Sequence, residues 1–567
     1  VKKYSIKSYK KFYLEKSFIN NFDEDNSLKR LLFIKYVAIW KLRLKNNYNI
    51  IFYMKYRPWS REIEKFVNQN NFKIKWDKKL ISFDFKGLSR IIENSLILIR
   101  NLFISSNKVS SNNYKSIKEN EPKICVPYWG NMNLENPKLQ SDFFFVDQKN
   151  LKFKDILILF SRHYNQKERN TNLNKNKIKT VHLGNSSTIN ELLINYLFKK
   201  IINLFSSSYF RMTFRSFKRN SNEFDDKVLF WKSFFLKHKI KIHISWYKHD
   251  ASHVAISSAL NSIGGVSAIY QRSYEGSPNI TLRNYNDIYF SYSNYHSIIE
   301  RKNRSIIPYH VSVGFLGDHR FNLLKNTANK IRHQLNQNKA EFIISYFDEN
   351  SIDDGRWWNN HKKIKDDYEF LIEKVLRNQN LGVIFKPKKS SDLRQRLGSS
   401  VNTLDKAIQT GRCIILESTG ILKNHYPPAI GALASDVAIG NKFAGTAALE
   451  ASLSGTPTLL IDKFGWTDNK LDLLGNDIIF KDWESLWNYC NNYISSKFKI
   501  DNFGDWSNLI DELDPFHDGK AAERMGTYLF WLKNEFEKNS SKKEVLNLVA
   551  NKYIDKWGYD KIQRVNS

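Results

Sequence analysis

The stretch Tyr426-Pro-Pro-Ala-Ile-Gly-Ala-Leu-Ala-Ser-Asp-Val-Ala-Ile-Gly-Asn-Lys-Phe-Ala-Gly-Thr-Ala-Ala-Leu-Glu-Ala-Ser-Leu-Ser-Gly-Thr-Pro-Thr-Leu-Leu-Ile-Asp462 decides the fold. It reads as helix, buried strand, small-residue turn, helix, Gly-x-Pro, buried strand. The apolar run Val437–Gly440 is short and bounded by turn chemistry, as a strand buried on both faces requires. The spacing predicts a helix opening at Phe443-Ala-Gly-Thr446, with Thr446 near its N-cap. Glu450 falls one turn later on the same face. Gly455 ends that helix, Pro457 forbids its continuation, and Thr458–Ile461 forms the next strand.

Chemistry follows from that geometry. A helix start presents backbone N–H groups and the positive end of its dipole, which favours a phosphate. Gly445 lets a ligand approach the backbone closely, and the Thr446 hydroxyl adds a donor. Glu450 can accept hydrogen bonds from a ribose diol. A phosphate beside a ribose describes a nucleotide-activated donor. The plain alternative is an ordinary αβ unit in which Thr446 caps a helix and Glu450 is solvated.

The pattern Asp436-x-x-Ile439-Gly440 followed by Gly445-Thr446-x-x-x-Glu450-Ala451-x-x-x-Gly455-x-Pro457 resembles the donor-binding half of GT-B glycosyltransferases. The likeness is to the bacterial surface-polysaccharide type, the group of capsule and lipopolysaccharide enzymes, with a distant similarity to CDP-glycerol glycerophosphotransferases. It covers roughly residues 240–530. It implies an α/β GT-B fold of two Rossmann-like αβ domains facing a cleft, with C-terminal helices crossing back. It also implies that Thr446 holds the donor phosphate and Glu450 the ribose.

Bulk properties agree with a globular protein. A chain of 567 residues exceeds one typical core, and a 41% hydrophobic content with 14% aromatics supplies an interior. Subtracting 57 Asp+Glu from 89 Lys+Arg leaves +32. A/T-rich codons, which supply Lys, Asn and Ile together, account for part of that excess. Attraction to an anionic membrane surface or to a phosphorylated donor is the second reading. Nucleic-acid binding is disfavoured because the cations are spread along the chain. Cys125, Cys413 and Cys490 are too few and too far apart for a disulfide scaffold or a cysteine-rich zinc site, which fits a reducing cytoplasm. No run reaches transmembrane length, so a cytoplasmic protein, peripheral on the inner membrane face at most, is expected.

Strands alternating with helices predict four regions. A basic helical segment spans 1–47. An N-terminal Rossmann-like acceptor domain spans 48–325, with strands at Asn49–Met54, Phe72–Trp76, Ile124–Pro127, Asp155–Phe160, Val181–Leu183, Ile240–Trp246, Val266–Tyr270, Asn286–Phe290 and Ile306–Val313. A nucleotide-donor domain spans 340–510, with strands at Phe342–Phe347, Gly382–Lys386, Cys413–Leu416 and Asp477–Phe480 beside the opening stretch. Helices fill 511–567, and a hinge is expected near 325–340.

Strand ends supply the remaining candidates, because ligands of open parallel sheets sit at the carboxyl ends of strands. Lys386-Pro387-Lys388 offers cations for a leaving diphosphate, where related transferases carry His-Pro or Lys-Pro; Arg394 and Arg396 are weaker candidates. Asp348 and Glu349, with Asp353 and Asp354 beyond them, end the first strand of the second half. Gln271-Arg272-Ser273 stands where the resemblance implies a Gln-His-Gly-like element, so Arg272 becomes a phosphate ligand and Glu275 an alternative base. An inverting transferase needs one general base, for which Asp250, Glu275 and His253 are the candidates. Lys520 and Arg524, in a tail that reads as structural, are further phosphate contacts. No spaced Asp-x-Asp pair, P-loop or Gly-x-Gly-x-x-Gly fingerprint occurs in a suitable context. The expectation is therefore a metal-independent glycosyltransferase with no cofactor, a nucleotide-sugar donor, and a glycan or lipid-linked glycan acceptor. A CDP-polyol phosphotransferase, a sugar-nucleotide epimerase and a non-catalytic basic binding protein are the rivals.

Overall fold

A computed structural model of the chain describes residues 6–24, 51–55, 64, 73–77, 124–129, 141–147, 149–160, 178–183, 212–353, 359–417, 426–443, 445–468, 470–538 and 540–565. The part of the expected helical segment 1–47 beyond residue 24, and the candidate Asp354, lie outside these residues.

Two compact units divide the chain. The smaller holds the helix Ile6–Glu24, most of the helix Met212–Lys237, and the start of the helix Ser252–Ser262. Within it Tyr13 packs on Phe224 at 5.1 Å, and its hydroxyl donates to Glu223 at 3.2 Å. Lys10 pairs with Asp225 at 2.6 Å. Strands β1 (Ile51–Lys55) and β2 (Lys73–Asp77) pair with each other in parallel. Sequence reading placed them in the first Rossmann-like sheet, and the structure corrects this: they form a separate two-stranded sheet. Lys73, Lys75 and Asp77 alternate through β2, leaving no continuous apolar run for a strand buried on both faces.

The larger unit contains both large sheets. The first uses β3 (Ile124–Pro127), β4 (Ile156–Phe160), β5 (Lys179–His182), β6 (Ile242–Ser245), β7 (Val266–Tyr270), β8 (Ile288–Ser291) and β9 (Tyr309–Ser312). The second uses β10 (Phe342–Phe347), β11 (Leu381–Lys386), β12 (Cys413–Ile415), β13 (Val437–Asn441), β14 (Thr458–Ile461) and β15 (Ile479–Phe480). Every pairing among these thirteen strands is parallel. All residues of β4, β7, β10, β13 and β14 are buried, as helices on both faces demand. The helix Phe321–Gln337 occupies the segment expected as a hinge.

Strand order positions the sites. The second sheet runs β12-β11-β10-β13-β14-β15, the doubly wound 3-2-1-4-5-6 order. The first runs β9-β8-β7-β6-β3-β4-β5, the same winding with one further strand. Each sheet thus reverses its winding once, between β10 and β13 and between β3 and β6. There the two connections leave in opposite directions and open a crevice beyond the carboxyl ends.

The C-terminal helices Ala521–Glu537 and Lys542–Trp557 return to the first sheet. Strand β16 (Ile562–Arg564), which sequence reading missed, then pairs antiparallel with β9. It is three residues long, carries Gln563 and Arg564, and covers an edge. Phe290 meets Tyr528 edge-on at 5.3 Å, and the Tyr553 hydroxyl donates to Ser312 O at 2.7 Å. One core joins these residues to Leu449, Leu460 and Leu471 of the second half.

Asp318 sits at this junction and accepts from the Ala521 amide at 3.2 Å. Burial, and next the charge of Asp514, push its carboxyl up to about 7, against opposition from Arg524. Between the unfolded value of about 3.8 and about 7 the folded protein keeps a proton that the unfolded chain has released. Stability from this group is therefore complete below pH ~4 and lost as pH rises through 7. Asp318→Asn should flatten that decline, by roughly 2–4 kcal/mol between pH 4 and 8. Urea denaturation of both proteins across this range checks it; parallel pH profiles would refute it.

Candidate functional site at the carboxyl ends of two sheets

The second winding reversal gathers most of the expected donor-side residues. After β13 the chain turns through Lys442, Phe443 and Gly445 into the helix Thr446–Leu453. Gly445 takes φ +61°, a left-handed value open to glycine, and occupies the N-cap. Thr446, expected near the N-cap, is the first helical residue after it. Gly440 brings β13 close to the helix, since a Cβ there would lie 2.9 Å from Ala448 Cβ. The Thr446 hydroxyl accepts from the Tyr274 amide at 2.9 Å, and the Tyr274 ring lies over Gly445. The Tyr274 hydroxyl donates to the buried Asp468 at 2.9 Å. A loop of the first half therefore rests on the helix start.

Glu450 is 4% exposed and faces inward. It accepts from Arg320 and from the Ala429 amide, each at 3.3 Å. Lys386, at the end of β11, donates to Pro387 O at 2.9 Å. Burial depresses its ammonium pKa, with Asp348 opposing that and Glu450 also in electrostatic range. Asp348 follows β10 and is fully buried: it accepts from Arg396 at 3.1 Å, from the Tyr368 hydroxyl at 3.2 Å and from the Lys388 amide. Burial raises its carboxyl to about 6, with Arg396 the chief opposing influence. Asp348 thus fixes the Lys386–Lys388 turn. The Lys388 ammonium lies 3.5 Å from Glu349 on the exposed side. Arg394 turns outward to Asp405 at 2.7 Å.

On the first sheet, residues just beyond β6, β7 and β8 converge. The Lys248 ammonium is buried between Glu275 and Glu300, 2.7 Å from each. Glu275, a candidate base, is thus held by a cation. Tyr292 is buried, and its hydroxyl feels the charges of Glu450, Glu275, Arg320 and Arg272. His296 packs against Tyr274, Tyr292 and Tyr295. Burial, then the Lys248 charge, lowers its pKa to about 3, so it is neutral at physiological pH. Sequence reading missed Lys248, Tyr274, Tyr292, His296 and Arg320. Four of them follow a strand by five residues or fewer, which is the signal that could have found them.

Other expected residues are engaged elsewhere. Asp250 and His253 belong to the smaller unit. There the Asp250 carboxylate accepts from the Ser252 amide at 2.7 Å and the His253 Nδ1 lies 2.8 Å from Asp250 O. Arg272 stacks on the Trp246 ring at 4.1 Å. Arg524 is 1% exposed; it donates to Val313 O at 2.7 Å, pairs with Asp518 at 2.8 Å, and covers the Phe516 ring. That burial makes it a tie between tail and sheet, in line with the structural reading of the tail, and leaves it engaged away from solvent. Lys520 is exposed at the N-cap of the helix Ala521–Glu537. Among the described residues no group of three or more His, Cys, Asp or Glu side chains is arranged to hold a metal, and no helix is long and apolar enough to cross a membrane.

No family model matches the chain, and no curated protein is similar to it. Among solved structures, a putative UDP-N-acetylglucosamine 2-epimerase from Listeria monocytogenes is 12% identical, with 74% of this chain and 98% of that chain covered at a TM-score of 0.43. S. aureus MnaA with UDP is 12% identical, with 73% and 97% covered at 0.42. Anabaena Alr3699/HepE in complex with UDP and glucose is 11% identical, with 76% and 99% covered at 0.40. Likenesses at this level assign neither a family nor an activity.

A Cβ at Gly445 would meet Tyr274 Cδ1 at 2.7 Å on a backbone that L residues avoid. Gly445→Ala should therefore cost about 1–3 kcal/mol of stability. Chemical denaturation measures this; a change below about 0.5 kcal/mol would show that the Tyr274 ring does not rest on the helix start.

Proposed function

We propose that this protein is a GT-B-type glycosyltransferase that moves a sugar from a nucleotide-activated donor to a surface-polysaccharide or lipopolysaccharide acceptor. The observation that carries the reading is the second winding reversal. A glycine-capped helix start there is followed one turn later by an inward carboxylate, Glu450, with Arg320 and Lys386 beside it. A donor diphosphate would take the Thr446 helix start and the Lys386 charge, and the ribose diol would bond Glu450. Positive charge held in place where the nucleotide departs lowers the barrier to its leaving. The Thr446 hydroxyl accepts from the Tyr274 amide through a lone pair, and its own O–H is the group that would donate to a phosphate oxygen.

The acceptor hydroxyl needs a base. Glu275 has the strongest support, because it shares the larger unit with the donor residues and lies near Tyr292, as Glu450 does. The Lys248 ammonium, 2.7 Å away, holds it oriented. Asp250 and His253 remain alternatives. Arg272 and Lys388 supply further cations at the strand ends, and Lys520 another on the tail. The chain's partners in this reading are a nucleotide sugar and a glycan, with no cofactor, at the cytoplasmic side of an anionic membrane.

Thermal unfolding with UDP, CDP, GDP and TDP tests the reading. One nucleotide at about 100 times its Kd should stabilise the protein by about 2.7 kcal/mol. Thr446→Ala and Glu450→Gln should each weaken that nucleotide about tenfold or more, measured against each variant's own ligand-free midpoint. A wild-type protein indifferent to all four nucleotides, or variants that keep the full shift, would refute the donor site.

A further inference from the structure

The first winding reversal, between β3 and β6, carries aromatic side chains that the donor site does not use. Trp129 stands two residues beyond β3, and Trp246 and Tyr247 directly follow β6. The Trp129 indole stacks on Tyr247 with centroids 4.5 Å apart and planes 19° from parallel, and meets Trp246 at 5.4 Å. Arg272, just beyond β7, covers the Trp246 ring at 4.1 Å. Four planar groups therefore lie together at the crevice where a doubly wound sheet binds its ligand.

The group is built, not incidental. The Trp129 amide donates to the buried Asp142 at 2.7 Å. Its indole N–H lies 3.3 Å from Ser245 Oγ, which also accepts from the Tyr247 amide at 3.1 Å. With its polar edge tied down, Trp129 still leaves 37% of its surface to solvent. A large aromatic face is thus held rigid and open, which lowers the ordering cost of binding.

We infer that Trp129, Trp246, Tyr247 and Arg272 form a saccharide-binding platform that takes a sugar ring of the acceptor. This rests on the proposed transferase reading and names the acceptor's place within it. A pyranose presents an apolar face of C–H bonds, whose positive hydrogens suit the negative face of an indole. Its hydroxyl rim suits a guanidinium, and a cation also suits the anionic sugars of surface glycans. Position agrees as well. Two residues after Arg272, the Tyr274 amide reaches Thr446 at the proposed donor helix, and two residues of chain span at most about 7 Å. A sugar on the platform would lie beside the donor's transferred group. A base of single-stranded nucleic acid also stacks on such rings, so oligonucleotides form the contrasting arm.

The test uses the full chain, with Trp129→Ala and Trp129→Phe variants. Each is applied to an array of bacterial surface glycans and simple oligosaccharides, with oligo(U) and oligo(dT) alongside. Thermal shifts with UDP, CDP, GDP and TDP are recorded in parallel. The wild type should bind at least one glycan, Trp129→Ala should weaken it tenfold or more, and Trp129→Phe should retain most of it. Nucleotide shifts, each measured against the variant's own ligand-free midpoint, should stay unchanged. A wild type that binds no glycan, or a Trp129→Ala protein that binds glycan as the wild type does, overturns the platform. So does a Trp129 dependence confined to oligonucleotides. Glycan binding through Trp129 without any nucleotide response would leave the platform standing and remove the donor site.

Discussion

Parallel pairing is the constraint on which the rest of this structure depends. Parallel strands cannot be joined by a tight turn, so each connection must cross a face of the sheet. A sheet wound from its centre in both directions needs one reversal, and only there do neighbouring connections part. This chain makes that reversal twice, at β3/β6 and at β10/β13. Its strand-end chemistry collects at those two places: the aromatic group with Arg272 at the first, and Gly445, Thr446, Glu450, Lys386 and Asp348 at the second.

What ties the two halves together is polar as well as apolar. Tyr274 reaches from the end of β7 to Thr446 through its amide and to Asp468 through its hydroxyl. Arg320, near the start of the helix linking the two sheets, pairs with Glu450. Both contacts involve the residues proposed to hold the nucleotide. A ligand entering that site would exchange contacts between halves for contacts to itself, so binding and the fit of the two halves are coupled through the same atoms.

The sequence made the second half legible because its strands are continuous apolar runs bounded by glycine and proline. Phe342–Phe347 and Thr458–Ile461 are found at the expected residues, and Val437–Asn441 runs one residue beyond the expected bound. The first half was harder to read. Its β1 and β2 look like strands by local composition, yet they pair apart from the main sheet, since pairing partners are not encoded locally. At the site, Thr446 and Glu450 could be singled out because a short motif carries them. Arg320 could not, because its role arises from strands brought together by topology, whereas Lys248 and Tyr292 carried only the signal of closely following a strand. Arg524 shows the converse: a cation in a helix-start motif can be read as a phosphate ligand, while the structure shows it buried and bound to Val313 O and Asp518.

Charge at the second reversal has a consequence for what it can bind. Burial weakens the Lys386 ammonium, and the nearby carboxylate of Glu450 already has Arg320 as its partner. A desolvated cation without a dedicated counter-ion is costly, and an arriving dianion removes that cost while gaining the helix dipole. A neutral ligand would gain neither. The net charge of +32 is spread over the whole chain and says little about specificity. In the proposed reading, the buried Lys386 would suit a phosphorylated ligand at one reversal and the half-exposed indole of Trp129 a sugar face at the other. The two reversals, with their different chemistry, would in that reading each take one of two different substrates.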